Sequence, residues 1–531
     1  MRGSPSGRLG VYLFFLLSAF AWCSAAPAAQ QGAPALIVLN TADDAAMQQA
    51  VASIKSAGGV IRHSVPPHVV IADLTTAGEA SLAGDPRIDF IAREVIDPGT
   101  IPASYGQVAR DAVTAWNEVF VLAKIAAPSA APPGLPLIGD VRQVPPEVRE
   151  RLKAAAAPAP PGANMWQTSE YMMGSTTISL IFLESNGSAD PSTENWTGPE
   201  TSRVVSECLD GMNKWITFYP YSVSPLSFTW EYHYSVPTSY EPINRDSGQD
   251  SLWLADALTA LGYPCDENNY WDALYAYNND LRDSHDTDWA FTVFVVDSSN
   301  DTDGMFADGY FAYAFMNGPS IMLTYDNDNW GIDRMDSVLA HEAGHIYGAD
   351  DEYCQGTYSC CDPDDFSGYL NIQNTNCDRD PICIMNNNSP AVCLVSRQQL
   401  GWRDSDEDGI PDILDVAPTA SLNTYAPDPA DEENPIFTGS SAVSFFPNMG
   451  SDTAPDVTLN RIAAVQYRID GGPWLEAQAA DGAFDEGNEA YTFQTDSLVN
   501  GTYLFEARTL DTSGNSSPEP YPSDTLQIKL H

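Results

Sequence analysis

Positive charge is scarce in this chain. Its 531 residues carry 24 Lys and Arg against 72 Asp and Glu, a formal charge of -48 at neutral pH. Such a surface repels phosphate polymers and anionic lipid headgroups, so nucleic acid and anionic membranes are excluded as partners on charge alone. Cysteine is missing from the whole segment between Pro27 and Met165. A latency device in which an N-terminal thiolate caps a metal is thereby excluded. Beyond the N-terminus no apolar run approaches the roughly 20 residues that a membrane-spanning helix requires, so no transmembrane segment is expected. No long internal repeat is visible, which sets aside a solenoid or a propeller. What is present, 44% hydrophobic and 11% aromatic residues, is the composition of a folded protein, and its length calls for three or more units.

The first stretch reads as an export signal over residues 1–26: Arg2 and Arg8, an apolar run from Leu9 to Trp22, then Ser24-Ala25-Ala26. Its removal would leave a soluble product, secreted or loosely associated with the cell surface. Cys23 would leave with it. The remaining cysteines form an even set, and Cys354, Cys360, Cys361, Cys377, Cys383 and Cys393 cluster in one loop-like segment. Disulfides suit such a set in an oxidising compartment.

Residues 27–125 alternate short apolar strands (Leu36 to Leu39, Val69 to Leu74, Ile88 to Ile91) with helical stretches (Ala46 to Ile54, Ala77 to Leu82). This predicts a small α+β unit, placed like a propeptide ahead of an Ala/Pro-rich linker over 126–174. A second α/β region follows over 175–403, with strands at Ile178 to Leu183, Phe228 to Tyr234, Trp289 to Val296, Gly309 to Phe315 and Ile321 to Tyr325. Helices are expected at Ser202 to Trp215 and Ser251 to Leu261. The last part, 419–531, alternates strand-like runs such as Val465 to Ile469 and Tyr503 to Ala507 with Gly471-Gly472 and Asn500-Gly501, which predicts a β-sandwich.

The stretch that carries chemistry is His341-Glu342-Ala343-Gly344-His345, preceded by apolar Met335, Val338 and Leu339. On a helix, residues four apart share a face, so both imidazoles can reach one ion. Zinc suits a site of imidazole nitrogen and carboxylate oxygen and keeps one position open for water. Glu342, beside the first histidine, can take a proton from that water. Gly348, three residues after His345, lets the chain leave the helix sharply. Asp351 follows within reach as a third ligand, with Asp350 and Glu352 crowding the same position.

This pattern resembles the H-E-x-x-H-x-x-G-x-x-H signature of the metzincin zinc peptidases, in a variant with aspartate as third ligand. Met385, in Ile382-Cys383-Ile384-Met385, matches the methionine turn beneath the metal of that family, where the residue packs as a floor. Asn387 stands where some members have a tyrosine. The resemblance covers about 175–402 and implies a twisted mixed sheet with an active-site helix. It also implies an endopeptidase in which Glu342 serves as general base and then as acid toward the leaving amine. A protein or peptide substrate follows. The competing reading is a secreted adhesion or binding protein whose metalloprotease fold has lost turnover, against which the intact Glu342 argues.

Between the second region and the sandwich, residues 404–418 hold a calcium-loop pattern: Asp404, Asp406, Asp408, the carbonyl of Ile410, Asp412 and Asp415, with Gly409 at the sixth position. It resembles an EF-hand loop but ends in aspartate rather than glutamate. Calcium there would stiffen the joint to the C-terminal domain, which resembles immunoglobulin-like domains of exported enzymes and could contact a surface or polymer. A monomer is expected.

Overall fold

A computed structural model of the chain describes residues 32–123, 140–154, 160–326, 331–352, 363–364, 372–373, 382–387, 390–448 and 455–531. The export signal and Cys354, Cys360, Cys361 and Cys377 lie outside the described residues.

The N-terminal unit comprises β1 (Ala33–Leu39), α1 (Asp44–Ser56), β2 (Val60–Val65), β3 (Val69–Leu74), α2 (Thr76–Leu82), β4 (Ile88–Ala92) and α3 (Gly106–Trp116). Period-two alternation sorts its strands between two cores. Ala35, Ile37 and Leu39 face α1, whereas Leu36 and Val38 face α3. Asp43 and Thr75 start the two helices by accepting the backbone N–H groups of Ala46 and Gly78.

Three elements precede or open the second α/β region: β5 (Asp140–Arg142), α4 (Pro146–Leu152) and β6 (Ser175–Ser185). After them come α5 (Gly198–Phe218), β7 (Ser227–Thr238), α6 (Ser251–Ala260), α7 (Tyr270–His285), β8 (Trp289–Val296), β9 (Ala312–Phe315), β10 (Ser320–Thr324) and α8 (Met335–Ile346). Ten strands form one mixed sheet in the order β4-β1-β3-β2-β7-β6-β8-β10-β9-β5. Its centre, β7-β6-β8-β10, is parallel. Helices cover both faces there, and every residue of β8 is buried, as a doubly covered parallel strand requires. One core lies between the sheet and α3, α5 and α8; the other lies under α4, α6 and α7.

Two departures from the sequence expectation concern how the parts join. The N-terminal unit does not have a sheet of its own, because β2 pairs in parallel with β7, His63 opposite Phe228. That pairing gives backbone groups of an otherwise open edge their partners. The stretch expected as a linker also contributes structure: β5 pairs with β9, and Val144, Val148, Leu152 and Trp166 are buried beneath the sheet. Few apolar residues suffice there because each sits opposite an existing core, which composition alone does not reveal.

The C-terminal part is a separate all-β region of two four-stranded antiparallel sheets. Phe437 and Phe493 of one meet Phe505 and Tyr467 of the other, with ring centroids 4.3 Å apart for Phe437 and Phe505 and 4.0 Å for Tyr467 and Phe493. No described helix is long and apolar enough to cross a membrane.

Candidate metal centre

Helix α8 is buried along its whole length, an unusual state for a segment carrying two histidines and a glutamate. It is held by α5: the Trp215 indole N–H donates to the Ala340 carbonyl at 2.9 Å, and Lys214 ion-pairs with Asp336 in the first turn. His341 and Glu342 are 0% exposed, and His345 is 1% exposed. Buried polar groups need partners, and both histidines have specific ones.

Each imidazole is oriented from behind. His341 Nδ1 lies 2.9 Å from the Ile384 carbonyl oxygen, and His345 Nδ1 lies 2.8 Å from that of Ala349. A carbonyl can only accept, so each Nδ1 carries a proton and each ring is turned with its Nε2 toward the other. The two Nε2 atoms stand 3.2 Å apart. Asp351 Oδ1 meets them at 3.2 and 3.4 Å.

The turn that produces this arrangement depends on Gly348, whose φ of +82° no side-chain-bearing residue adopts readily. Its N–H donates to the His345 carbonyl at 3.0 Å and that of Ala349 to Gly344 at 2.9 Å, closing the helix. The reversed chain then returns the Ala349 carbonyl to His345 and brings Asp351 to the two rings. Its neighbours are engaged elsewhere. Asp350 Oδ1 accepts the Asp351 N–H at 2.9 Å, and Glu352 Oε1 faces the Cys393 thiol at 3.2 Å. Of the three crowded acids, Asp351 is the one whose carboxylate lies against both imidazoles.

Electrostatics agree with that division. Burial works to raise the Asp351 carboxyl, but the adjacent imidazoles hold it well below the usual carboxylate range. For His345 burial opposes the charged form, and the Asp351 carboxylate outweighs it, raising the ring. Asp350 is pushed up to about 6 by burial and by the charge of Asp351, which together outweigh the opposing pull of His345.

Met385 lies beneath, in the short helix α9 (Ile384–Asn387), and is fully buried. Its main-chain oxygen accepts the Glu352 N–H at 2.8 Å, and a Cβ built on Gly344 would fall 2.3 Å from its sulfur. A side chain at Gly344, directly before His345, would therefore displace the Met385 sulfur from its seat. Gly344 and the two carbonyl acceptors went unnoticed in the sequence; the glycine inside the motif was the available signal, whereas the carbonyls leave none.

His341, His345 and Asp351 each offer a ligand atom within 4.8 Å of the others, as do Asp404, Asp406 and Asp408. In the latter loop the Gly409 N–H donates to Asp404 Oδ2 at 3.0 Å and that of Ile410 to Asp408 Oδ1 at 2.9 Å, while Asp404 Oδ1 is buried without a partner. Asp415 is raised by burial and then by the charges of Asp408, Asp406, Asp412 and Asp404. Asp412 accepts from the Ser405 N–H and Oγ at 2.7 Å each and pairs with Arg403 at 3.2 Å. Near the end of the loop, the Leu414 carbonyl accepts from Asn460 at 2.7 Å and Asn515 at 2.6 Å of the β region, which fixes the joint.

Among the described cysteines, Cys208, Cys265, Cys383 and Cys393 are free thiols. Cys208 and Cys265 pack on opposite faces of the sheet, which keeps them from pairing with each other.

No protein-family model matches the chain, and no curated protein matches it. Solved structures give only partial likenesses. The sulfane dehydrogenase SoxCD from Paracoccus pantotrophus is 12% identical over 22% of this chain and 33% of its own, with a TM-score of 0.16. The fibronectin(III)-like modules of Clostridium thermocellum CbhA are 17% identical over 22% and 48%, with a TM-score of 0.14. The endo-beta-1,4-mannanase from Thermotoga petrophila is 10% identical over 66% and 79%, with a TM-score of 0.13. Similarity at that level carries no argument, so the functional reading rests on the site itself.

Proposed function

We propose that this chain is a secreted zinc-dependent endopeptidase of metzincin type, with His341, His345 and Asp351 as metal ligands and Glu342 as the proton carrier. What supports the reading is the convergence of two Nε2 atoms 3.2 Å apart with Asp351 Oδ1 at 3.2 and 3.4 Å, both rings being anchored through Nδ1. Three electron-pair donors at one point repel one another unless a cation lies between them, and two imidazoles with a carboxylate suit zinc. Zinc held there supplies Lewis acidity, lowering the pKa of a water to about 7 and polarising a peptide carbonyl. Glu342, next to His341 and excluded from bulk water, accepts the proton of the attacking water and returns it to the departing amine. Met385 and Gly348 act by packing and by turning the chain. They touch no substrate.

In this reading residues 27–125 are a propeptide-like domain, the acidic loop over 404–418 takes calcium, and the C-terminal region is immunoglobulin-like. The test is metal analysis and peptide-library digestion of purified protein with and without chelator. Stoichiometric zinc and chelator-sensitive cleavage are expected. A zinc-free sample that cleaves, or a zinc-loaded one that cleaves nothing, contradicts the proposal.

A further inference from the structure

Far from the histidines, the carboxyl ends of the central strands carry a second concentration of acid. Glu184 is the penultimate residue of β6, Asp297 follows β8 directly, and Glu194 and Glu241 lie in the segments after β6 and β7. Glu194, Glu241 and Asp297 are only 4%, 3% and 3% exposed.

All four are fastened in the same way, by one oxygen to the main chain. The Trp196 N–H donates to Glu184 Oε2 at 3.1 Å and the Ser299 N–H to Asp297 Oδ1 at 2.9 Å. The Asn300 N–H donates to Glu194 Oε2 at 2.9 Å and the Thr193 N–H to Glu241 Oε2 at 2.9 Å. The second oxygens are another matter. Glu184 Oε1 and Asp297 Oδ2 are buried and have no hydrogen-bond partner at all. No ion pair reaches any of the four among the described residues, and Arg245, close in sequence to Glu241, is held by Asp190 at 2.6 Å. Bare carboxylate oxygens so enclosed are costly unless something charged meets them.

They also repel one another. Burial raises Glu184 and Glu194, and the charge of Asp297 raises both further. Glu241 is pushed up to about 7, first by burial, with Glu194 and Glu184 adding to it.

Topology places the group where open α/β sheets take ligands. The chain leaves β6 through α5 to reach β7 on one side, and returns through α6 and α7 on the opposite face to β8 on the other. Connections diverge at that point, the kind of place, outside strand carboxyl ends, where open α/β sheets take ligands. Leu183 of β6 pairs with Val296 of β8, so Glu184 and Asp297 are the next residues out on the two neighbouring strands.

We propose that the bare oxygens of Asp297 and Glu184 at these strand ends bind a hard divalent cation, calcium by its all-oxygen donors, with Glu194 and Glu241 completing the charge. The site is separate from the acidic loop at Asp404 and from the imidazole centre. Its role is structural: it ties the ends of adjacent parallel strands and the start of α5, the helix that holds α8.

Terbium(III), which replaces calcium and is sensitised by a nearby indole, reads the site directly, because Trp196 is hydrogen-bonded to Glu184. The parent for the test is the full chain with Asp404→Asn and Asp408→Asn, which removes the loop site. Indole-sensitised terbium emission, and a rise in melting temperature on adding calcium, are expected in that parent. Asp297→Asn and, separately, Glu184→Gln should weaken terbium binding roughly tenfold or more, the scale on which ligand charge tunes calcium affinity. Both variants should melt higher than the parent in chelator, since each removes repulsion. This second reading confirms that they fold. A parent that shows neither emission nor a calcium-induced shift overturns the proposal, and so do variants that bind terbium as the parent does.

Discussion

The two ligand clusters legible in the sequence differ in how they are built. His341, His345 and Asp351 are buried, come from a helix and the turn after it, and are oriented by main-chain carbonyls from elsewhere in the fold. Asp404, Asp406 and Asp408 are half-buried or exposed, follow one another in a single loop, and are oriented by the N–H groups of that same loop. The first cluster needs the whole domain to exist; the second needs little beyond its own backbone. Ion binding at the first should therefore be coupled to packing, and at the second to solvent and local charge.

The largest effect that sharpens this contrast is chemical. Glu342→Gln should lower peptide cleavage by about 10²–10⁴-fold while leaving zinc content unchanged, the range for removing a positioned acid–base group. Asp351→Ala should lose the zinc itself, which metal analysis of the purified variant reads; Asp350→Asn and Glu352→Gln should retain it, because neither side chain faces the imidazoles.

Packing comes next. Gly344→Ala places a methyl 2.3 Å from the Met385 sulfur, and overpacking of that kind costs about 1–3 kcal/mol. Chemical denaturation of the metal-free protein should show the loss, with zinc affinity falling alongside it. In the loop the corresponding experiment should behave differently: Asp404→Asn with Asp408→Asn should remove calcium-dependent protection of the joint from protease, yet leave the zinc-dependent activity and the stability in chelator nearly unchanged. Equal losses at both places would erase the distinction.

A smaller effect concerns the N-terminal unit. Because β2 pairs with β7 and Leu36, Val38 and Trp116 share a core with α5, a cut within residues 124–139 should leave the two parts together on size exclusion. The smallest is a pH dependence. Glu241 is raised to about 7 from an ordinary value of 4.5, so the folded state holds a proton that the unfolded chain gives up. Without added calcium, stability from this group should fall as pH rises from about 4.5 through about 7, and Glu241→Gln should flatten that slope.

How much of this was legible beforehand differs between the parts. The main strands and the two ligand clusters follow from local periodicity and spacing, and β6, β8 and β10 lie within a few residues of their expected places. Helix α7 was not anticipated, since polar Asn278, Asn279 and Arg282 interrupt its apolar face; they are buried, Arg282 donating to the Gln167 carbonyl at 2.8 Å. The union of the N-terminal strands with the central sheet depends on the partner of an edge, which no local pattern encodes. Likewise the acids at Glu184 and Asp297 are far apart in sequence and meet only through the register of β6 and β8. Spacing exposes ligands that share a helix or a loop, and conceals those assembled by a sheet.

The most direct measurement is anomalous diffraction at the zinc edge from crystals of the purified protein. A single strong peak is expected about 2.0–2.2 Å from His341 Nε2, His345 Nε2 and an Asp351 oxygen, with Glu342 beside it. A fully occupied protein without such a peak, or with the two imidazoles directed to different places, would contradict the account.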